Sequence, residues 1–311
     1  MGEKSKSSGE IGEKIANSLL ELIGWKDSIQ NISIDCTDPS HLNDAKNPKE
    51  SHGEDEVYLY YNPFQDDTSS IIHVSVKHSE NEPPKEKGTK TQFLTYFNEL
   101  QEIIECAQYS SNLETLSDSY GTKNIVHSGL LIWLNCYDLD NPINFIDYLA
   151  NIQIPVNAKY PTYLIDSARA LFLIKVMHDI RLKCSQRTYE FRYPPEIGSN
   201  LNNQQSPFGN YLPIELIASD IIPIVIFNDK QPEELILYAN QTFTIDNYEK
   251  LISYALSFSS GFVNKIKIGL PKYDVLKDKN DARLALNKFP HRDKVEITPF
   301  SFNTNIQSII Y

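Results

Sequence analysis

Residues 71–77 read Ile-Ile-His-Val-Ser-Val-Lys, and no other segment limits the fold as tightly. The run is β-branched, and from Ile72 onwards it alternates. Side chains point to opposite faces along a strand. Ile72, Val74 and Val76 therefore share one face, which has to be covered by a core. His73, Ser75 and Lys77 share the other. Just upstream, residues 56–61 (Glu-Val-Tyr-Leu-Tyr-Tyr) are β-prone as well. Asn62-Pro63 and Asp66-Asp67 break the chain between the two runs, and the pattern predicts a hairpin.

Helical periodicity frames this hairpin. Ile11, Ile15, Leu19 and Leu22 form one apolar stripe, predicting a helix over residues 10–23. Ser7 and Glu10 have capping-box spacing at its start, which gives Glu10 a local role. Gly24 ends the helix and Trp25 follows. Residues 35–55 are polar, contain Pro39 and Pro48, and read as loop. Residues 80–91 read as a charged loop with Pro83-Pro84. A second helix is expected over 92–109 with Phe93, Phe97, Leu100 and Ile104 on one side, then a buried strand at 128–136 and a short helix near 143–150. The second half alternates again. Strands are expected at 188–193, 222–228, 233–239 and 265–269, and helices at 166–182, 246–258 and 279–288. A long loop is expected over 194–210. This pattern is α/β throughout, and we divide it into a domain over 1–155 and a second α/β domain over 156–311.

Composition narrows the function classes. No run of 18 apolar residues occurs, so no membrane-spanning helix is expected. The polar start, Met1 to Glu10, lacks a signal-peptide stretch, so a cytoplasmic protein is the default. The four cysteines (Cys36, Cys106, Cys136, Cys184) contain no C-x-x-C pair. That argues against a zinc ribbon or redox pair and reads as free thiols. The net charge of −12 argues against a general nucleic-acid coat protein but leaves a nuclease open, because metal-binding carboxylates add negative charge. P-loop, H-E-x-x-H and G-x-S-x-G motifs do not occur.

The chemistry then centres on Lys77. A strand lysine among polar neighbours can orient an attacking water or stabilise a phosphorane-like transition state. It needs a metal nearby, and the metal needs carboxylates. Asp55, at the entry of the neighbouring strand, can supply one, although Glu54 and Glu56 flank it and the choice rests on register. Hard cations such as Mg²⁺ favour oxygen ligands, and a water on such a cation becomes a better nucleophile.

This order of residues resembles the PD-(D/E)xK nuclease superfamily, the fold of many restriction enzymes, Holliday junction resolvases and RecB-type exonucleases. The run Gly12-Glu13-Lys14-Ile15 through Leu22-Ile23-Gly24-Trp25 looks like the first helix of the resolvase and Mrr-like branches. His52-Gly53-Glu54-Asp55 looks like the loop that delivers the first aspartate, and Ser75-Val76-Lys77 stands at the (D/E)-x-K position. The resemblance covers roughly residues 9–136 and implies a restriction-endonuclease-like mixed sheet flanked by helices. It also implies an Mg²⁺ or Mn²⁺ site formed by Glu13, Asp55 and the Val76 carbonyl. The catalytic set would be Glu13, Asp55, Ser75 and Lys77. Gln92-x-x-x-Tyr96 resembles the Q-x-x-x-Y that RecB-type nucleases place at the DNA. Lys85, Lys87 and Lys90 read either as a DNA-facing loop or as a solvated charged one. Ser75 replaces a carboxylate, so the site has one negative charge fewer than the family pattern.

The chain also resembles the nuclease subunits of bacterial two-protein antiphage defence pairs. That likeness implies a second defence protein as partner, in a homodimer or hetero-oligomer, and phage or plasmid DNA as target. The first expectation is therefore a Mg²⁺-dependent DNA endonuclease. The second is a catalytically inactive, nuclease-fold subunit that senses DNA or scaffolds a defence complex. A third is a structural subunit that assembles through its second half.

Overall fold

The structure is a computed structural model and describes residues 2–43, 45–156, 158–194, 206–289 and 295–302. The chain divides into two compact units, Met1–Leu171 and Phe172–Tyr311.

The first unit is built on a five-stranded sheet in the order β1-β2-β3-β4-β5. Its strands are β1 (Ile29–Asp35), β2 (Ser51–Tyr61), β3 (Thr68–Ser79), β4 (Asn124–Asn135) and β5 (Thr162–Asp166). β1, β2 and β3 are antiparallel, and β3, β4 and β5 are parallel. The expected hairpin is β2–β3, and Asp67 takes the left-handed conformation at its turn (φ 51°). β1 and β5 were not anticipated from sequence. β5 pairs with β4, so the first sheet extends past the boundary expected near residue 155.

Helix α1 (Gly2–Leu22) covers one face of β3. It starts well before residue 10, which places Ser7 inside the helix rather than at its start; the side chain of Ser7, and with it the expected capping box, lies outside the described residues. The extension is tied down at Ser8, whose hydroxyl lies 2.9 Å from Nδ1 of His78 on β3. Gly24 (φ 94°) ends the helix, and buried Trp25 stacks on Tyr58 at 4.6 Å. The buried stripe is turned by about one position from the expected one. Gly12, Ala16, Leu19, Leu20 and Ile23 face the sheet, whereas Ile11 and Ile15 are exposed. Gly12 explains the turn. A Cβ there would sit 2.5 Å from His78 Cβ, so only glycine lets the helix backbone rest directly on β3.

Helix α2 (Glu86–Ala107) covers the other face. The expected stripe, Phe93, Phe97, Leu100 and Ile104, packs on Leu131, Trp133 and Phe145. Burying each such side chain contributes roughly 1.5–3 kcal/mol. The helix begins six residues earlier than expected, because residues 86–91 continue its register behind Pro83-Pro84. Two short helices complete this unit, α3 (Ser111–Asp118) and α4 (Phe145–Leu149), the second of which was expected. Helix α5 (Ser167–Lys183) contains the division between the units.

The second unit has a six-stranded mixed sheet, β11-β10-β9-β8-β6-β7. Its strands β6 (Thr188–Arg192), β8 (Ile221–Asn228), β9 (Gln231–Ala239) and β10 (Lys265–Leu270) lie where sequence places them. Helices α7 (Ile245–Ser259) and α8 (Val275–Leu286) pack on it over Leu235, Leu237, Ile266 and Ile268. The other three elements, β7 (Phe208–Gly209), α6 (Ile214–Ile217) and β11 (Glu296–Ser301), were not anticipated. β11 carries Pro299, which an edge strand tolerates. Most of the loop expected over 194–210 lies outside the described residues. No described helix is long and apolar enough to cross a membrane.

Candidate active site

The β2–β3 ladder stops pairing at Glu56↔Val74, and the site lies where the two strands part. There the Asp55 carboxylate takes over from the ladder: its Oδ2 accepts a hydrogen bond from the Val76 N–H at 2.6 Å. This leaves Oδ1 available. Burial raises the Asp55 carboxyl above its ordinary value, while the Val76 N–H and the Lys77 charge pull it back.

Of the three consecutive acids, the neighbours differ sharply. Glu54 is buried against His73, with Oε1 2.6 Å from Nδ1. His73 in turn lies 2.9 Å from Nδ1 of His127, and the two rings stack. Burial pushes Glu54 up and His127 down to about 4. His73 thus belongs to an interior network rather than to the fork. Glu56 is buried, which raises its carboxyl, and a hydrogen bond from Ser28 opposes that shift. Asp55 alone of the three bonds to the backbone beside Lys77.

Glu13 reaches the same fork from α1. Its carboxyl is raised by desolvation, then by the charge of Asp55 and then by Glu10. Gly12 lets α1 settle on Val76 and His78, and its neighbour Glu13 comes within electrostatic reach of Asp55. Lys77 extends to the α2 side. Its Nζ lies 2.9 Å from Glu99 Oε2 and 4.9 Å from the centre of the Tyr96 ring. Tyr96 itself meets Trp133 edge-on at 5.5 Å, so the aromatic wall under the lysine is fixed from behind. Sequence reasoning missed Glu99, because its only signal was a position one turn before Ile103 on a helix whose acids are otherwise unremarkable. Ser75 is buried on β3 beside Leu131.

The remaining expected residues are on α2 or at its start. Tyr96 is half-buried at Lys77 and packs on the Phe93/Phe97 cluster. Gln92 is exposed one turn earlier. Lys85 is the residue preceding the helix, and Lys87 lies in its first turns; both are exposed. Lys90 pairs with Glu86 at 2.6 Å, so this charged stretch is helical rather than a loop.

The arrangement places two carboxylates that resist ionisation together at a strand fork, with a cationic side chain alongside. A divalent cation fits that donor set, because oxygen ligands suit hard cations and the cation would relieve the mutual repulsion. The sequence profile of one family, described as the GAPS4 protein PD-(D/E)XK nuclease domain, matches residues 1–169. No curated protein matches the chain.

Proposed function

The chain belongs to the GAPS4 PD-(D/E)XK nuclease family, and from that premise we propose that it is a metal-dependent DNA endonuclease of bacterial defence. Its target would be invading phage or plasmid DNA, and its place of action the cytoplasm. The observation that carries this reading is the Asp55–Val76 hydrogen bond, which fixes an acid next to Lys77 and within electrostatic reach of Glu13.

Asp55 and Glu13, with the Val76 carbonyl, hold Mg²⁺ or Mn²⁺. When bound, the cation lowers the pKa of a water and offsets charge on the scissile phosphate. Lys77 stabilises the charge that builds on the phosphate oxygens and orients the water. Glu99 and Tyr96 position Lys77 by an ion pair and a ring face. Ser75 offers a neutral hydroxyl where the family pattern has a carboxylate, and Glu99 restores a negative charge at the lysine end. Gln92 and Tyr96, with exposed Lys85 and Lys87 and the Glu86-paired Lys90, form the side that meets DNA. With a net charge of −12, the chain depends on these local cations or on a partner to hold a polyanion. The partner is a second defence protein, in a hetero-oligomer or alongside a homodimer. The second unit serves partner or DNA binding.

The test is cleavage of plasmid DNA by the purified protein, with and without its partner, in Mg²⁺. Wild type is expected to cut, and Asp55→Asn and Lys77→Ala each to lose ~10²–10³-fold or more, in line with the loss of one transition-state donor. Equal cleavage by wild type and both variants overturns the site. Ser75 favours one other reading, a nuclease-fold subunit that senses DNA without cutting it. Retained DNA binding with no cleavage under either cation, partner present, would establish that instead.

A further inference from the structure

Four metal-ligating side chains converge at the β1–β2 connection and the last turn of α2. Cys36 follows β1, His41 lies in the β1–β2 connection, His52 is the second residue of β2, and Cys106 sits in the last turn of α2. His41, His52 and Cys106 are buried and Cys36 is half-buried. One ligand atom from each lies within 4.8 Å of all the others.

Four of the six ligand–ligand spacings match a tetrahedron, and His52 Nε2 lies within 4.8 Å of both sulfurs. Zinc bonds of about 2.3 Å to sulfur and about 2.05 Å to nitrogen imply tetrahedral edges of roughly 3.8 Å (S–S), 3.6 Å (S–N) and 3.4 Å (N–N). The two sulfurs are 3.9 Å apart, His41 Nδ1 is 3.5 Å from each sulfur, and His41 Nδ1 is 3.3 Å from His52 Nε2. Hydrogen bonding does not explain this convergence. His41 Nδ1 faces three partners at once, and a ring nitrogen has a single lone pair or a single proton to offer. A disulfide does not explain it either, since the sulfurs are far beyond the bonded distance of about 2.05 Å.

The surroundings suit a metal as well. His41 turns its other nitrogen, Nε2, towards Glu105 at 3.8 Å, an electrostatic contact that favours a proton on Nε2 and leaves Nδ1 to face a metal. The Thr37 N–H donates to Cys106 Sγ at 3.4 Å, which supports a thiolate there. His41 also lines a cleft with Asp38, Glu102, Glu105 and Lys159, in which Glu102 pairs with Lys49 and Glu105 with Lys159.

We infer that Cys36, His41, His52 and Cys106 bind one structural Zn²⁺ that pins the β1–β2 connection to the end of α2. A buried S₂N₂ tetrahedron selects zinc over the oxygen-seeking Mg²⁺, and four protein ligands leave no open position for catalysis. Binding releases the two thiol protons to solvent, and no oxidant is involved. The connection over residues 36–50 is polar, and among its described residues only His41 is buried; a zinc clamp gives it a fixed path.

The experiment is metal analysis of the full-length protein, expressed with zinc, purified and dialysed, by mass spectrometry of the metal content. Roughly one zinc per chain is expected, as for other four-ligand sites, and it should persist in Asp55→Asn. Cobalt-loaded protein should show the intense visible absorption of a tetrahedral thiolate site. Cys106→Ser and His41→Ala should lose the metal, and Glu105→Gln should weaken it by ~10- to 100-fold. A wild-type protein with no zinc and no cobalt spectrum overturns the assignment. So does a Cys36–Cys106 disulfide in the purified chain, or zinc retained in folded Cys106→Ser.

Discussion

Replacing Gly12 by alanine tests the seating of α1, and replacing Gly9 provides its internal control. Both residues lie in α1, but a Cβ at Gly9 meets nothing within 4 Å, whereas one at Gly12 lands 2.5 Å from His78 Cβ. A Cβ cannot rotate away. Reaching an ordinary contact of 3.4 Å therefore requires the helix to lift by about 0.9 Å. In a helix interior alanine gains roughly 1 kcal/mol over glycine, so Gly9→Ala should stabilise by up to that amount. Gly12→Ala has the same gain set against an overpacking cost of ~1–3 kcal/mol, so it should come out neutral to ~2 kcal/mol destabilising. The chain's two tryptophans, Trp25 and Trp133, both belong to the first unit, so their fluorescence reports its unfolding directly. At ~2–4 °C per kcal/mol for a unit of this size, the two variants should melt several degrees apart. Activity should separate further. Lifting Glu13 by nearly an ångström from Asp55 should lower Mg²⁺-dependent cleavage by up to ~10²-fold, while Gly9→Ala cuts normally. Equal melting shifts for the two variants would refute the close approach of α1 to β3 and the role given to Gly12.

Three further outcomes follow from the same geometry. Asp55 and Glu13 have carboxyls raised by burial, so the folded protein binds protons more readily than the unfolded chain. Their contribution is therefore favourable below the ordinary carboxylate pKa and is lost as pH rises through the raised values. Mg²⁺ should reverse that loss, giving a melting-temperature increment that grows with pH across this window and vanishes in Asp55→Asn; an increment independent of pH would count against a cation at these acids. Glu99→Gln removes the partner of a partly exposed lysine, so fluorescence-monitored stability should change by no more than ~1 kcal/mol. Cleavage should nevertheless fall, with kcat affected more than KM, and unchanged kcat would deny Glu99 its positioning role. Glu54→Ala leaves buried His73 without its hydrogen-bond partner, and urea unfolding of the first unit should weaken by ~1–3 kcal/mol; no measurable loss would show that the pair is not held as described.

What the sequence revealed follows from how local each signal is. β3 and the α2 stripe are written in a few consecutive residues and were readable. β1 was not, because only Ile29, Ile32 and Ile34 punctuate a polar run, and Asn31 takes a positive φ within it. β5 was hidden by its five-residue length behind Pro161. The face of α1 was misjudged because periodicity counts apolar side chains, and the residue that decided the packing was a glycine. Among the site residues, Asp55, Lys77 and Glu13 could be proposed from order along the chain. Glu99 could not, since its meeting with Lys77 depends on how α2 crosses the sheet. The sequence did not connect the two cysteines with the two histidines for the same reason. They come from three separate segments, and C-x-x-C spacing captures only ligands that share a turn.

The hydrogen bond from Val76 to Asp55 also changes how a dead variant should be interpreted. Asp55 stands in for a backbone carbonyl at the place where two strands separate, so its side chain is both a reagent and a rung. Deleting it with alanine removes both, and inactivity could then come from a splayed fork with Lys77 displaced. Asparagine keeps an oxygen for the Val76 N–H and removes only the charge. The difference between Asp55→Ala and Asp55→Asn therefore measures how far this chain's chemistry depends on its scaffolding at a single side chain.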